Sequence, residues 1–165
     1  MLKYFAVCAA LLSFSVPASA APVGPDAAAC RPGSGANAIV VSVGGLKARV
    51  GLLRVWLFGP NPKDFLARGK KLRRVELPAS ASAMDVCIAL PKPGRYAVAV
   101  RHDTNGNRDS DLSDGGGFSR NPKVSLANLK PAHKDVAFNV GPGVHRVPVT
   151  MLYRRGLSIR PIKSS

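Results

Sequence analysis

Acidic residues are scarce in this chain: Asp and Glu number nine against 24 Lys and Arg over 165 residues, leaving a formal charge of +15. Such an excess favours anionic partners such as lipopolysaccharide, acidic glycans or nucleic acid, or else it is a solvated surface with no partner in mind. Cysteine is nearly absent, with three in all. Neither Cys30 nor Cys87 has a Cys-x-x-Cys partner or a nearby His, which argues against a catalytic thiol or a metal pair. The three histidines, His102, His133 and His145, are scattered, and no His-Glu-x-x-His occurs. Gly117-Phe118-Ser119-Arg120-Asn121 fails the nucleophile-elbow pattern at its last position. The glycine run Gly115-Gly116-Gly117 lacks the Lys-Ser/Thr ending of a phosphate loop. Long apolar runs are missing too. The best, Phe5 to Val16, is shorter than the roughly 18 residues needed to span a bilayer.

That apolar run has a different use. Lys3 precedes it and Ala18-Ser19-Ala20 follows it, the charge, core and small-x-small pattern of a cleaved signal peptide. Residues 1–20 are therefore expected to be removed near Ala20-Ala21, exporting the chain to a periplasm or beyond. The remaining 165 − 20 = 145 residues suffice for one domain with a sizeable core. In an oxidising compartment Cys30 and Cys87 are expected to form one disulfide.

Residues 21–37, rich in Ala, Pro and Gly, read as an irregular lead-in tied down by Cys30. From Ala38 the apolar period becomes two. Ile39, Val41 and Val43 share a face, and Leu53, Val55 and Leu57 mark a strand apolar on nearly both sides, hence central. Met84, Val86, Ile88 and Leu90 form another face, with Cys87 pointing away from it. The disulfide should then staple the lead-in across the outside of a sheet. Tyr96, Val98 and Val100 follow, with His102 in register. Val136, Phe138 and Val140 alternate next, and Val147, Val149, Met151 and Tyr153 make a last strand that Pro148 places at an edge. About seven short strands separated by turn signals predict an all-β antiparallel sandwich, immunoglobulin-like or transthyretin-like, over residues 38–153. Residues 154–165 read as a basic, frayed tail.

Two stretches carry candidate chemistry. The first, Lys63 to Arg74, gathers Lys63, Arg68, Lys70, Lys71, Arg73 and Arg74 against Asp64, and is the candidate anion-contacting surface. The competing reading is a solvated loop, favoured because no aromatic beyond Phe65 interleaves with the charges, which also disfavours nucleic acid. The second is the loop after the Tyr96 strand. Counting from Asp103, oxygen-bearing side chains fall at one, three, five, seven, nine and twelve: Asp103, Asn105, Asn107, Asp109, Asp111 and Asp114. That is the ligand schedule of a calcium loop of the EF-hand type. The schedule has Arg108 where Gly usually makes the sharp turn, and Asp rather than Glu at its end. The competing reading makes Asn105-Gly106 a tight turn, with Arg101 and Arg108 neutralising the acids. On the calcium reading the loop presents Phe118 and Arg120 to a ligand. A hydrolase using His102 with Asp103 or Asp109 is the alternative from another class, although a self-repelling cluster is a poor place to tune two carboxyls apart.

The run from Pro93 to Val100, with His102-Asp103-Thr104-Asn105-Gly106-Asn107 and Gly117-Phe118-Ser119-Arg120-Asn121, resembles the bacterial family named domain of unknown function 2141. Gly51 to Phe58 is similar to that family's first strand, and Asp135 to Val140 to its Phe-bearing strand. The resemblance implies a short exported β-sandwich and brings no activity with it. The sequence thus predicts a non-catalytic binding or structural module of the cell envelope, with calcium as its possible ion and an anionic envelope component as its possible partner.

Overall fold

The computed structural model describes residues 21–162, so the expected signal peptide lies outside the described residues. The regular structure of these residues is almost entirely strand: β1 (Ala38–Gly44), β2 (Leu52–Phe58), β3 (Arg73–Pro78), β4 (Ala83–Ala89), β5 (Gly94–Asp103), β6 (Gly115–Phe118), β7 (Phe138–Val140), β8 (Val144–Thr150), β9 (Leu152–Arg155) and β10 (Ser158–Arg160). One α-helical turn, α1 (His133–Val136), precedes β7, and 3-10 turns lie at Ala27–Cys30 and Pro62–Asp64. Among the described residues no helix is long and apolar enough to cross a membrane.

The strands form two sheets. The smaller has the order β4-β1-β8, and the larger runs β10-β9-β6-β5-β2-β3, with β7 paired to the start of β5. Their inner faces meet in one apolar cluster. Ile39, Val41, Val86, Ile88 and Val149 come from the small sheet, and Leu53, Val55, Val75, Val98 and Val100 from the large one. Period-two alternation put these residues inside, and β2 is central as its two apolar faces require, lying between β3 and β5.

Three features differ from the sequence expectation. The strands number ten, because β6 emerges from the glycine run, β10 from the expected tail, and the expected last strand from Val147 to Tyr153 divides at Met151 into β8 of the small sheet and β9 of the large one. Main-chain pairing with distant neighbours, which local propensity does not encode, decides each of these. The pairing is not wholly antiparallel either, since β1 and β8 run parallel. A chain arriving by a long route can add to a sheet in either direction, and strand periodicity does not encode which. The stretch from Arg154 onward is not frayed as far as Arg160: β9 and β10 form a hairpin that extends the large sheet. Pro148 does sit on an edge strand, β8.

The Cys30–Cys87 disulfide joins positions 57 apart, with Cα atoms separated by 6.0 Å. It lies with Ala38 and Val40 in a small cluster on the outer side of the small sheet, away from the main core. There it holds the lead-in segment, whose Val23 also bridges to Val86 on β4.

Candidate functional site

The last residues of β5 set the corner on which the acidic loop stands. His102 and Asp103 are both fully buried. The Nε2 of His102 lies 2.9 Å from the Val50 carbonyl, which can only accept, so this nitrogen carries the proton. Nδ1 then accepts from the Tyr153 hydroxyl at 2.6 Å, and that hydroxyl accepts from the Lys47 amide at 3.0 Å. Burial pushes the Tyr153 phenol up to about 12. Asp103 spends both carboxylate oxygens on the main chain, one on the Gly106 amide and one on the Arg108 amide, each at 2.8 Å. Two groups that resembled an acid–base pair therefore hold the corner of the fold. Neither presents a proton-transferring atom to solvent.

The rest of the loop closes in the same way. Asp114 accepts from the amides of Thr104 and Asp111, both at 3.1 Å, and its carboxylate lies 3.6 Å from the Arg101 guanidinium. Asp111 takes the side-chain amides of Asn105 at 2.6 Å and Asn107 at 2.9 Å. The side-chain oxygen of Asn107 accepts the Asp109 amide at 2.9 Å. The carbonyl of Arg108, which has a positive φ of 68°, accepts from Arg54 at 2.9 Å. Among the described residues no three His, Cys, Asp or Glu side chains converge as metal ligands would. The side-chain oxygens of Asp103, Asn105 and Asn107 thus accept main-chain amides two to five positions on, in the manner of Asx turns.

Glu76, the chain's sole glutamate, anchors the outer face beside this loop. It meets Arg74 at 2.7 Å, Arg108 at 2.9 Å and Arg54 at 3.2 Å. The Arg54 Nε, although that close, is not aligned for a hydrogen bond and makes none. The Arg74 hydrogen bond foremost, together with Arg108, holds the Glu76 carboxyl below the usual carboxylate range. Its ionised form is thus favoured in the folded state. The stabilisation is complete above the ordinary glutamate value of about 4.3 and is lost as pH falls through the lowered one. Glu76→Gln is expected to cost about 2 kcal/mol, less than the ~3–5 kcal/mol of a fully buried pair because the Glu76 side chain keeps 21% exposure. It should also flatten the acid limb of a plot of melting temperature against pH. An unaltered acid limb would show that other carboxylates carry it.

The candidate anion-binding cations are mostly engaged. Arg73 pairs with Asp26, Arg74 with Glu76 and Lys70 with Asp64, the last at 3.9 Å, while Lys71 stands 5.3 Å from the Trp56 ring centre. Among the described residues only Lys63 and Arg68 of the six are without an ion pair or ring contact. The six lie along the turn after β2 and the start of the edge strand β3.

Sequence reasoning missed one concavity altogether. On the outer face of the large sheet, a cleft of about 440 Å³ runs between the acidic loop and the segment 122–130. Its floor comes from β5, β6 and β9 through Ala99, Gly116 and Leu152. Trp56, Phe118 and Ile159 stand around that floor, and Leu112, Leu126 and Leu129 form the walls. One end of this outer face is already covered. Phe65 packs edge-on against Phe58 and Phe118, at 5.2 and 6.2 Å between ring centres, beside α1. The other end is open.

The glycines of β6 explain how. A Cβ on Gly115 would lie 2.4 Å from Tyr153 Cε1, and one on Gly117 would lie 2.6 Å from Val149 Cγ1. Both point inward, where β6 must approach the core closely. Gly116 points outward, and a Cβ there meets nothing within 4 Å. The run is thus a strand whose inner glycines allow packing and whose outer glycine leaves the cleft floor bare. Phe118, expected to face a ligand, does line the cleft. Arg120 does not: it turns back to donate to the carbonyls of Lys134 and Ala137 at 3.1 and 3.2 Å. The signal for the cleft was the leucines at 112, 126 and 129, which fit no strand period.

The motif residues that carried the family resemblance are largely scaffold. Ser119 is buried and donates to the Val136 carbonyl at 2.6 Å, and the Asn121 side chain accepts the Thr150 amide at 2.7 Å. None of the curated proteins matches the chain. A crystal structure of a "putative adhesin" from Bacteroides ovatus superposes with a TM-score of 0.34 at 14% identity, covering 70% of this chain and 44% of that one. This chain thus spans less than half the length of that protein. A family model described as "Uncharacterized protein conserved in bacteria (DUF2141)" matches residues 41–147, from β1 into β8 and across the whole of the acidic loop. The chain belongs to that family.

Proposed function

We propose that the protein is an exported, non-catalytic binding module of the cell envelope whose ligand lies in the cleft on the outer face of the large sheet. The observation that carries this reading is an apolar hollow, of the ~300–1,000 Å³ typical of small-molecule sites, maintained by a glycine with open space above it. Its walls keep large apolar side chains in water: Leu112 is 75% exposed, Leu129 53% and Leu126 39%. The acidic loop forms one wall, and its hydrogen bonds keep that wall in place. Gly116→Phe should fill the hollow without touching the core. Its melting temperature is expected to stay close to that of the wild type while capture of a neutral apolar dye is abolished. Undiminished dye capture by a normally folded variant would remove the cleft from consideration.

Calcium at the loop is supported by the alternation of Asp and Asn. An ion there would have to displace amide donors already bound to Asp103, Asp111 and Asp114. We infer that the internal bonds suffice, so melting curves in chelator and in millimolar calcium should coincide. A rise of several degrees with calcium would restore the ion to the loop.

A further inference from the structure

We propose that the cleft takes a single acyl chain bearing an anionic head group, an inference that rests on the cleft being the ligand site. The walls decide the tail. They are branched aliphatic side chains around a flat glycine floor, with few hydrogen-bonding groups left over. Of the polar residues there, Asp114 is tied to Arg101 and to main-chain amides, and Asp111 to two asparagines. A sugar would present hydroxyls with little to bind them. The one tryptophan, Trp56, already has two cations over its ring, Arg54 at 5.5 Å and Lys71 at 5.3 Å from the ring centre, which compete with a sugar for stacking there. A flexible methylene chain needs neither polar partners nor a stacking platform, and it gains from every carbon removed from water.

The rim decides the head. Lys130 and Arg154 line the cleft, and among the described residues neither forms an ion pair. The two carboxylates that line the same cleft, Asp111 and Asp114, are already bonded within the loop. A chain lying along Leu126, Leu129 and Leu152 would end with its head within reach of those two cations. The charge excess of the whole protein favours the same sign of ligand.

The test is a titration of the full-length exported protein with palmitate below its micelle concentration, followed by native mass spectrometry and by the emission of Trp56, the one tryptophan in the chain. One palmitate per chain is expected, with affinity falling about fourfold for each methylene removed toward laurate. A combined Lys130→Glu, Arg154→Glu variant should bind palmitate about tenfold more weakly, and Gly116→Phe should not bind it. If a neutral maltoside with the same tail binds as well as palmitate, and the charge reversal changes nothing, the anionic head is overturned while the apolar site stands. If no amphiphile binds but a leucine-rich peptide occupies the cleft and Gly116→Phe excludes it, the acyl ligand fails and the binding-module reading survives. If Gly116→Phe binds palmitate like the wild type, both fail together.

Discussion

Replacing Gly51 by alanine is expected to destabilise the fold by about 4 kcal/mol, the upper end of single-substitution effects. The residue sits just before β2 with φ at 75°, a left-handed conformation that costs an alanine roughly 1–2 kcal/mol. The greater penalty is steric. A Cβ there would lie 2.0 Å from the Asp103 carbonyl oxygen and 2.8 Å from the Thr104 carbonyl. Those contacts are main chain, so no side-chain rotation relieves them. To accommodate the methyl group, the 46–51 turn must move away from the end of β5. That movement also pulls Val50 from His102, whose ring would lose the acceptor for its Nε2 proton. A thermal melt should therefore shift downward by roughly 10 °C. A shift of only a degree or two would mean that the corner beneath the acidic loop is far softer than its hydrogen bonds indicate.

Removal of the disulfide is the second large effect. Cys30→Ala together with Cys87→Ala frees a segment of 57 positions in the unfolded chain, for which the chain-entropy model gives about 4 kcal/mol. Alanine keeps the small cluster with Ala38 and Val40 apolar, so the loss is chiefly that of the cross-link. The lead-in keeps other attachments in the folded state: the Val23 amide donates to Asp85 at 2.8 Å, Val23 accepts from Cys87 at 2.9 Å, and Asp26 pairs with Arg73. Denaturant unfolding of the double variant should thus show a lower midpoint with native strand content retained in water. If the midpoint does not move, those non-covalent contacts alone specify the lead-in and the cross-link adds nothing.

Strand-forming physics was legible where side chains alternate. Ile39 to Val43, Leu53 to Leu57 and Tyr96 to His102 declare their inner faces because burying one face of a pleated strand requires period two. The outward position of Cys87 followed from the same count. Pairing partners were not legible, because direction and neighbour depend on contacts far apart in sequence, as the parallel β1–β8 pair shows. The strand Gly115–Phe118 was invisible for another reason. Glycines have no side chain to pattern, and their role appears only once Tyr153 and Val149 are seen pressing on them. His102 and Asp103 were recognised as notable residues, and the fold assigns them to holding β5, β9 and the loop together. The cleft was least legible. It depends on leucines in an irregular segment and on one glycine left uncovered, and neither carries a periodic signal.

The most direct test of the outer-face cleft as the ligand site is a chemical-shift map of the backbone amides, recorded with and without a saturating apolar ligand. The largest shifts are expected at Ala99, Gly116, Phe118 and Leu152, with the small sheet unchanged and, in the segment from Lys63 to Arg74, smaller shifts confined to Leu66, which lines the cleft, and to Lys71 beside Trp56. Shifts concentrated in that basic segment or on the small sheet, with Gly116 and its neighbours still, would contradict the account.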